Sequence, residues 1–223
     1  LGWRTRLASV TCYILTLSLQ NRNPLVLDSS DRLLLLLLFW GMFMPWGLRF
    51  SKDAGAVSSA AQGQVVELLG STGYLLQVCQ LYLMAGYWKL HPVWMTERTA
   101  LARVFEIKQF TKPLGEWLMS YPGLLEVLTL AVLVIELLAP CLLLTGNGRG
   151  RLLGVVLLAL LHAGIGLTMD LEFFPWVSEV TLLGCLPSLV WDRSVSSRPG
   201  EAQVPPWTTH FLTQGLAALA ILA

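Results

Sequence analysis

The chain has 223 residues, of which 55% are apolar and only 13% are charged, and its formal net charge is +1. A typical soluble domain carries about 25% charged residues and rarely exposes large apolar patches, so this composition argues against a soluble globular enzyme. The near-zero net charge gives no electrostatic footprint for nucleic acid, and the aliphatic content excludes a disordered chain.

Seven apolar stretches approach the roughly 20 residues that a membrane-spanning helix needs. They are residues 7–19, 33–48, 65–90, 124–144, 152–169, 173–190 and 207–223. None of them alternates as barrel strands do, so helices are the predicted spanning element. We therefore predict an all-α fold, a polytopic transmembrane bundle of about six or seven spanning helices. The expected location is a membrane, crossed several times, which is the cell membrane if the protein is bacterial.

The whole chain, residues 1–223, is predicted to form a single transmembrane domain. It opens with Leu1 and closes inside an apolar run, so we expect a piece of a longer domain that lacks one or both ends. Its longest connection is the segment 91–123, which we interpret as an interfacial or loop segment. Residues 98–110 show a partial helical rhythm there, which fits either an amphipathic helix on the membrane surface or a loop helix packed on protein.

Ionisable residues inside the apolar stretches are the candidate functional residues. A charge at the bilayer centre costs about 2.5–3.5 kcal/mol, so such residues usually face a bundle interior or a wet cavity. The set comprises Glu67, Lys89, Glu126, Glu136, His162 and Glu179. The four cysteines form neither a CxxC pair nor a metal-ligand spacing, so no metal site is predicted.

Glu136 and His162 each allow two interpretations. Glu126 is too far from Glu136 for a carboxylate pair, because ten residues span about 15 Å of helix. Glu136 is then either a polar contact between helices or a functional carboxyl group. His162 is either an interhelical hydrogen-bonding residue or a proton donor that contacts a bound molecule.

Lys89 closes the third apolar stretch, with Trp88 before it and Trp94 five residues after it. One interpretation is a lysine that snorkels to the interface within an aromatic belt. The other is a buried amine that acts as a general base, with Trp88 and Trp94 stacking on a flat ligand. The residues alone leave both interpretations open.

Several short blocks together resemble the HTTM (horizontally transferred transmembrane) domain family, which is related to the membrane domain of vitamin K-dependent gamma-carboxylases. The resemblance covers residues 1 to about 193. The blocks that carry it are 18–24 with Asp31 and Trp40, 43–47, 51–53, Lys89-Leu90 with Trp94, 114–118, 128–129, 136–140, 161–162, 174–176, 186–187 and 191–192. The resemblance implies a polytopic helical membrane fold, of which this chain lacks the N-terminal helix or helices.

The resemblance also implies chemistry. Relatives of the carboxylase type remove a proton from a glutamate side chain and add carbon dioxide, driven by oxidation of a reduced vitamin K quinone. A lysine before a leucine, in the setting of Gly86 to Leu90, starts that chemistry as a base, which makes Lys89 the candidate catalytic base. His162, in a looser match, is the candidate proton partner or ligand contact.

Departures from the carboxylases keep a second function open. The animal-type enzymes carry a second lysine where this chain has Trp88, and a large soluble C-terminal portion for which this chain has no room. The alternative is therefore a non-catalytic membrane module that binds lipid or a partner protein of unknown identity. Reduced vitamin K or another quinol is implied only by the resemblance, and membrane lipid is the expected partner in either case.

Overall fold

The computed structural model describes residues 2–44, 52 and 69–190. The predicted last span, residues 207–223, and the candidate Glu67 lie outside the described residues. The nine described α-helices, in chain order, are α1 Thr5–Arg22, α2 Ser29–Gly41, α3 Leu69–Trp88, α4 Pro92–Met95, α5 Ala100–Phe105, α6 Pro113–Leu118, α7 Pro122–Leu143, α8 Gly148–Thr168 and α9 Phe174–Leu183. No strand occurs in the described part of the chain, which confirms the all-α class.

Two of the described helices, α7 and α8, are long and apolar enough to cross a membrane. Their 22 and 21 residues extend about 33 Å and 31 Å at 1.5 Å per residue. The prediction of six or seven spanning helices is therefore not confirmed. The stretch 173–190 gives a helix of only 10 residues, because Gly184 and Pro187 follow it closely and Pro disfavours helix in the residue before it.

The outer faces of α7 and α8 are as apolar as their buried faces. In the most apolar 18-residue stretch of each helix, only 33% of α7 and 28% of α8 is buried. The exposed large side chains are Leu124, Val127, Val134 and Leu138 on α7, and Leu153, Val156, Leu160 and Leu167 on α8. A surface helix of a soluble protein would place polar residues there, so this pattern indicates a membrane environment.

The core lies where α3, α7, α8 and α9 meet. Its fully buried side chains include Val78 on α3, Leu143 on α7, Leu158 on α8 and Leu182 on α9. The Tyr74 hydroxyl of α3 donates a hydrogen bond to the carbonyl oxygen of Thr181. This contact satisfies a buried phenol that would otherwise be costly, and it ties α3 to α9.

The N-terminal helices form a separate hairpin on one side of this core. A capping box starts α2: the Asp28 side chain accepts from the backbone of Asp31, and the Asp31 side chain accepts from the backbone of Asp28. The Gln20 amide nitrogen donates to the Asp31 carbonyl oxygen over 2.8 Å and joins α1 to α2. The hairpin reaches the core through α2, which contacts α3 and α9.

Gly154 sets the close approach of α8 to α7. A Cβ atom at this position would lie 3.0 Å from the carbonyl oxygen of Ala139 and 3.1 Å from the Cβ of Leu142. A Cβ atom on Gly164, in the same helix, would meet no described atom within 4 Å. The two glycines therefore form a matched pair, one at a helix contact and one in open space.

We expect Gly154→Ala to lower the free energy of unfolding by about 1–3 kcal/mol, because backbone atoms must move apart to admit the methyl group. Gly164→Ala should be neutral or stabilising by up to about 1 kcal/mol, since alanine is the better helix former. Reversible denaturant unfolding in detergent micelles measures both. Equal effects of the two substitutions would contradict the described packing of α7 on α8.

Residues 91–123 fold back along the first half of α7. Phe105 of α5 is buried, and the Leu101 amide donates to the Thr129 hydroxyl of α7 over 3.4 Å. At the far end, the Lys112 amide donates to the Thr168 carbonyl oxygen over 2.9 Å, at the end of α8. These contacts are those of a loop helix packed on protein, and they bring the start of α7 and the end of α8 to the same end of the bundle.

Candidate functional site

Lys89, the residue after the end of α3, forms an ion pair with Glu136 of α7. Its Nζ atom donates to Oε1 over 2.9 Å and lies 2.7 Å from Oε2. The Glu136 side chain is only 9% exposed and the Lys89 side chain 23%. Each charge compensates the other, as a pair removed from water requires.

Gly86 allows this pair to form. It lies on the same face of α3 as Lys89, one turn before it. A Cβ atom on Gly86 would lie 2.7 Å from Cδ2 of Leu137 and 3.4 Å from the Cβ of Glu136. The missing side chain lets α3 touch α7 at the level of Glu136. On the same side of α3, Cys79 contacts the carbonyl oxygen of Pro140 at 3.6 Å.

The pair lies well inside the length of α7. Glu136 comes fourteen residues after Pro122, where α7 begins, and so about 20 Å along the helix. Leu101 of the segment 91–123 contacts α7 at Thr129, whereas the end of α3 contacts it at Glu136, two turns further along. Lys89 therefore contacts an interior position of the predicted span 124–144, although the sequence places Lys89 itself at the end of the apolar stretch 65–90. Its ammonium group binds Glu136, and the Lys89 side chain is partly exposed.

Of the two candidate stacking residues, the structure brings Trp94 to the ammonium group. Nζ lies 5.3 Å from the centroid of the Trp94 ring, within the range of a cation–π contact. The Trp88 side chain is 77% exposed and packs edge-on against Tyr87, with ring centroids 6.1 Å apart. Trp88 thus belongs to the outer surface, beside the site.

His162 is buried, at 4% exposure, between α3, α8 and α9. Its Nε2 atom lies 2.7 Å from the Tyr82 hydroxyl of α3, and its ring meets the edge of Phe174 at 5.5 Å between centroids. Its Nδ1 atom is buried and has no hydrogen-bond partner among the described residues. Tyr82 was missed at the sequence level, yet it lies two helical turns before Lys89, a spacing that places both on one face of α3.

The remaining predicted polar residues are distributed differently. Glu126 is exposed near the start of α7 and Glu179 is half-buried on α9. Among the described residues, neither of them makes a hydrogen bond or ion pair with Lys89, Glu136 or His162. No three His, Cys, Asp or Glu side chains of the described ranges are placed to hold a metal ion.

Comparisons with known proteins gave one positive finding. A family model described as the HTTM domain matches residues 30–191, well over half of the chain. No curated protein matches the chain, and no solved structure matches it. The match includes Lys89, Glu136, His162 and Tyr82.

Proposed function

The chain belongs to the HTTM domain family, and on that premise we propose that it is a multi-pass membrane protein whose Lys89–Glu136 pair deprotonates a lipid-soluble weak acid of the quinol type. The single observation that carries this proposal is the contact of Nζ with both oxygens of a nearly buried carboxylate, at 2.9 Å and 2.7 Å. The proposed activity is quinone-linked and resembles that of the vitamin K-dependent gamma-carboxylases.

The pair suits acid–base chemistry because it carries no net charge. A proton that moves from the Lys89 ammonium to the Glu136 carboxylate leaves a neutral amine and a neutral acid. Neither form of the pair places a net charge in an apolar environment, where an isolated ion is expensive. The neutral amine of Lys89 is then a base for an acidic hydroxyl group, and Glu136 holds the displaced proton.

The surrounding residues fit a flat, apolar ligand. The Trp94 ring borders the amine at 5.3 Å and can stack on an aromatic ring, whereas the Trp88 ring is exposed to a ligand that approaches from outside. A bound quinol would supply an acidic hydroxyl group and reducing equivalents. In this proposal Lys89 removes the proton, and His162 is the proton partner or ligand contact.

The second candidate is a non-catalytic membrane module that binds lipid or supports a partner protein. It is favoured by one specific observation: Lys89 and Glu136 satisfy each other where Gly86 brings α3 onto α7. The contact between Tyr82 and His162 joins α3 to α8 in the same way. Under this alternative the polar groups only hold helices together, which is a common role for them in membranes.

Quinol oxidation by the full chain in lipid nanodiscs tests the proposal. Reduced vitamin K is added in aerated buffer, where dissolved oxygen is the oxidant. We expect quinol to be consumed faster than with empty nanodiscs. A rate equal to that of empty nanodiscs would overturn the catalytic proposal and favour the non-catalytic module.

A further inference from the structure

Tyr82 connects His162 with the face of α3 that carries Lys89. Its hydroxyl oxygen lies 2.7 Å from Nε2 of His162. Gly86 and Lys89 follow it at four and seven residues, so the three positions share one side of the helix. The α7 helix approaches this side of α3 at Gly86, where a Cβ atom would lie 3.4 Å from the Cβ of Glu136, and Glu136 is the residue that Lys89 binds.

The hydrogen bond between Tyr82 and His162 has a favoured direction. If the phenol donates to Nε2, both of these atoms are satisfied by one bond. If Nε2–H donates to the phenol oxygen, the phenol hydrogen needs a further acceptor, and Tyr82 has no second hydrogen-bond partner in the described ranges. The first arrangement leaves one buried group unpaired, the Nδ1–H, whereas the second leaves two, the phenol hydrogen and the Nδ1 lone pair. Because buried polar groups are nearly always paired, the first arrangement is the better one.

We propose that Tyr82 is a positioning residue: its hydroxyl donates to Nε2 of His162 and so fixes the neutral ring with its proton on Nδ1. This inference rests on the proposed function and extends it. It assigns the orientation of His162, the proposed proton partner, to Tyr82, a residue that touches no reacting atom. Nδ1, which is buried and without a described partner, becomes the donor that His162 offers to a bound molecule.

Two neighbours hold the ring, which makes this assignment specific. Phe174 packs against it in a T-shaped arrangement, at an interplanar angle of 72°, and Tyr82 binds Nε2. Rotation of the ring would break the only hydrogen bond that the His162 side chain makes within the described residues. Tyr82 therefore determines which nitrogen carries the proton, in the way that a second partner fixes the tautomer of a functional histidine.

Nitrogen-15 spectroscopy of the histidine rings tests this assignment directly. The full chain is labelled at its three histidines in nanodiscs, and the His162 signals are identified by their loss in His162→Gln. We expect wild type to show a neutral ring protonated on Nδ1. Tyr82→Phe should shift protonation partly or fully to Nε2 and lower the rate of quinol oxidation.

Tyr74→Phe is the matched control, since Tyr74 lies on the same helix, is buried and also donates one hydrogen bond across a helix interface. It should leave the His162 signals unchanged. A wild-type ring protonated on Nε2, or an equal shift in the two tyrosine variants, would overturn the assignment, and the wild-type spectrum decides even if Tyr82→Phe does not fold. If wild type oxidises no quinol while its ring shows the expected tautomer, the proposed function fails and the positioning role of Tyr82 stands.

Discussion

Lys89→Ala is expected to lower the rate of quinol oxidation by about 10²–10⁴-fold, the usual contribution of a positioned general base. The substitution removes the amine and leaves Glu136, on the neighbouring helix, without its partner. Trp94 and the apolar surroundings remain, so quinol should still bind. The loss should therefore fall mainly on kcat, with a smaller change in KM.

Lys108→Ala provides the matched control, because it removes an exposed lysine of the segment 91–123, which follows Lys89 in the chain. It should retain the wild-type rate, which shows that a change of net charge has no effect by itself. Equal rates in wild type and Lys89→Ala would remove Lys89 from the chemistry. The rates are compared in nanodiscs at equal protein content, after circular dichroism has confirmed the same helix content.

Glu136→Leu is expected to lower the free energy of unfolding by about 2–4 kcal/mol, because it leaves an ammonium group unpaired beside an apolar helix. The lower end of this range reflects the 23% exposure of the Lys89 side chain, which allows it to reach a more polar environment. Denaturant unfolding in micelles measures the loss. The cause is the missing partner, and a second substitution can therefore reverse it.

The double variant Lys89→Met/Glu136→Leu should recover most of that stability, since two apolar side chains of similar volume replace the whole pair. It should fold and show no quinol oxidation, which separates the chemical role of the pair from its structural role. If the double variant loses as much free energy of unfolding as Lys89→Met and Glu136→Leu lose in sum, the pair does not form.

The sequence predicts the long helices well because their apolar runs are continuous. The predicted span 124–144 corresponds to α7, Pro122–Leu143. The predicted span 152–169 corresponds to α8, which begins four residues earlier because its first turn contains Arg149 and Arg151. An apolar run does not include such charged residues, although a helix readily does at its end. Hydropathy therefore locates these helices and misses their polar ends.

The pairing of Lys89 with Glu136 could not be predicted, because 47 residues separate the two in the chain. It depends on residues 91–123 folding back along α7, and on Gly86 admitting α7 to the surface of α3. Neither feature has a periodic signal in the sequence. The spacing of Tyr82 and Lys89 could have been noticed, but its meaning depends on His162 lying opposite on α8.

The central claim is that Lys89 and Glu136 form a contact pair, and the proposed function requires that this pair be reached from the lipid phase. A carbodiimide tests both parts of it. The reagent activates a protonated carboxyl group, and an adjacent amine then attacks the activated carbon to form an amide. The reagent leaves as a urea, and the protein loses one water. Only a pair at hydrogen-bond distance, as here, gives this zero-length link.

The decisive measurement is mass spectrometry of the full chain in nanodiscs after treatment with dicyclohexylcarbodiimide, which dissolves in lipid, or with a cationic, water-soluble carbodiimide. We predict a Lys89–Glu136 link with the lipid-soluble reagent and none with the water-soluble one, which should still modify the exposed Glu97. A link formed only from the aqueous side, or no link with either reagent, would contradict the claim.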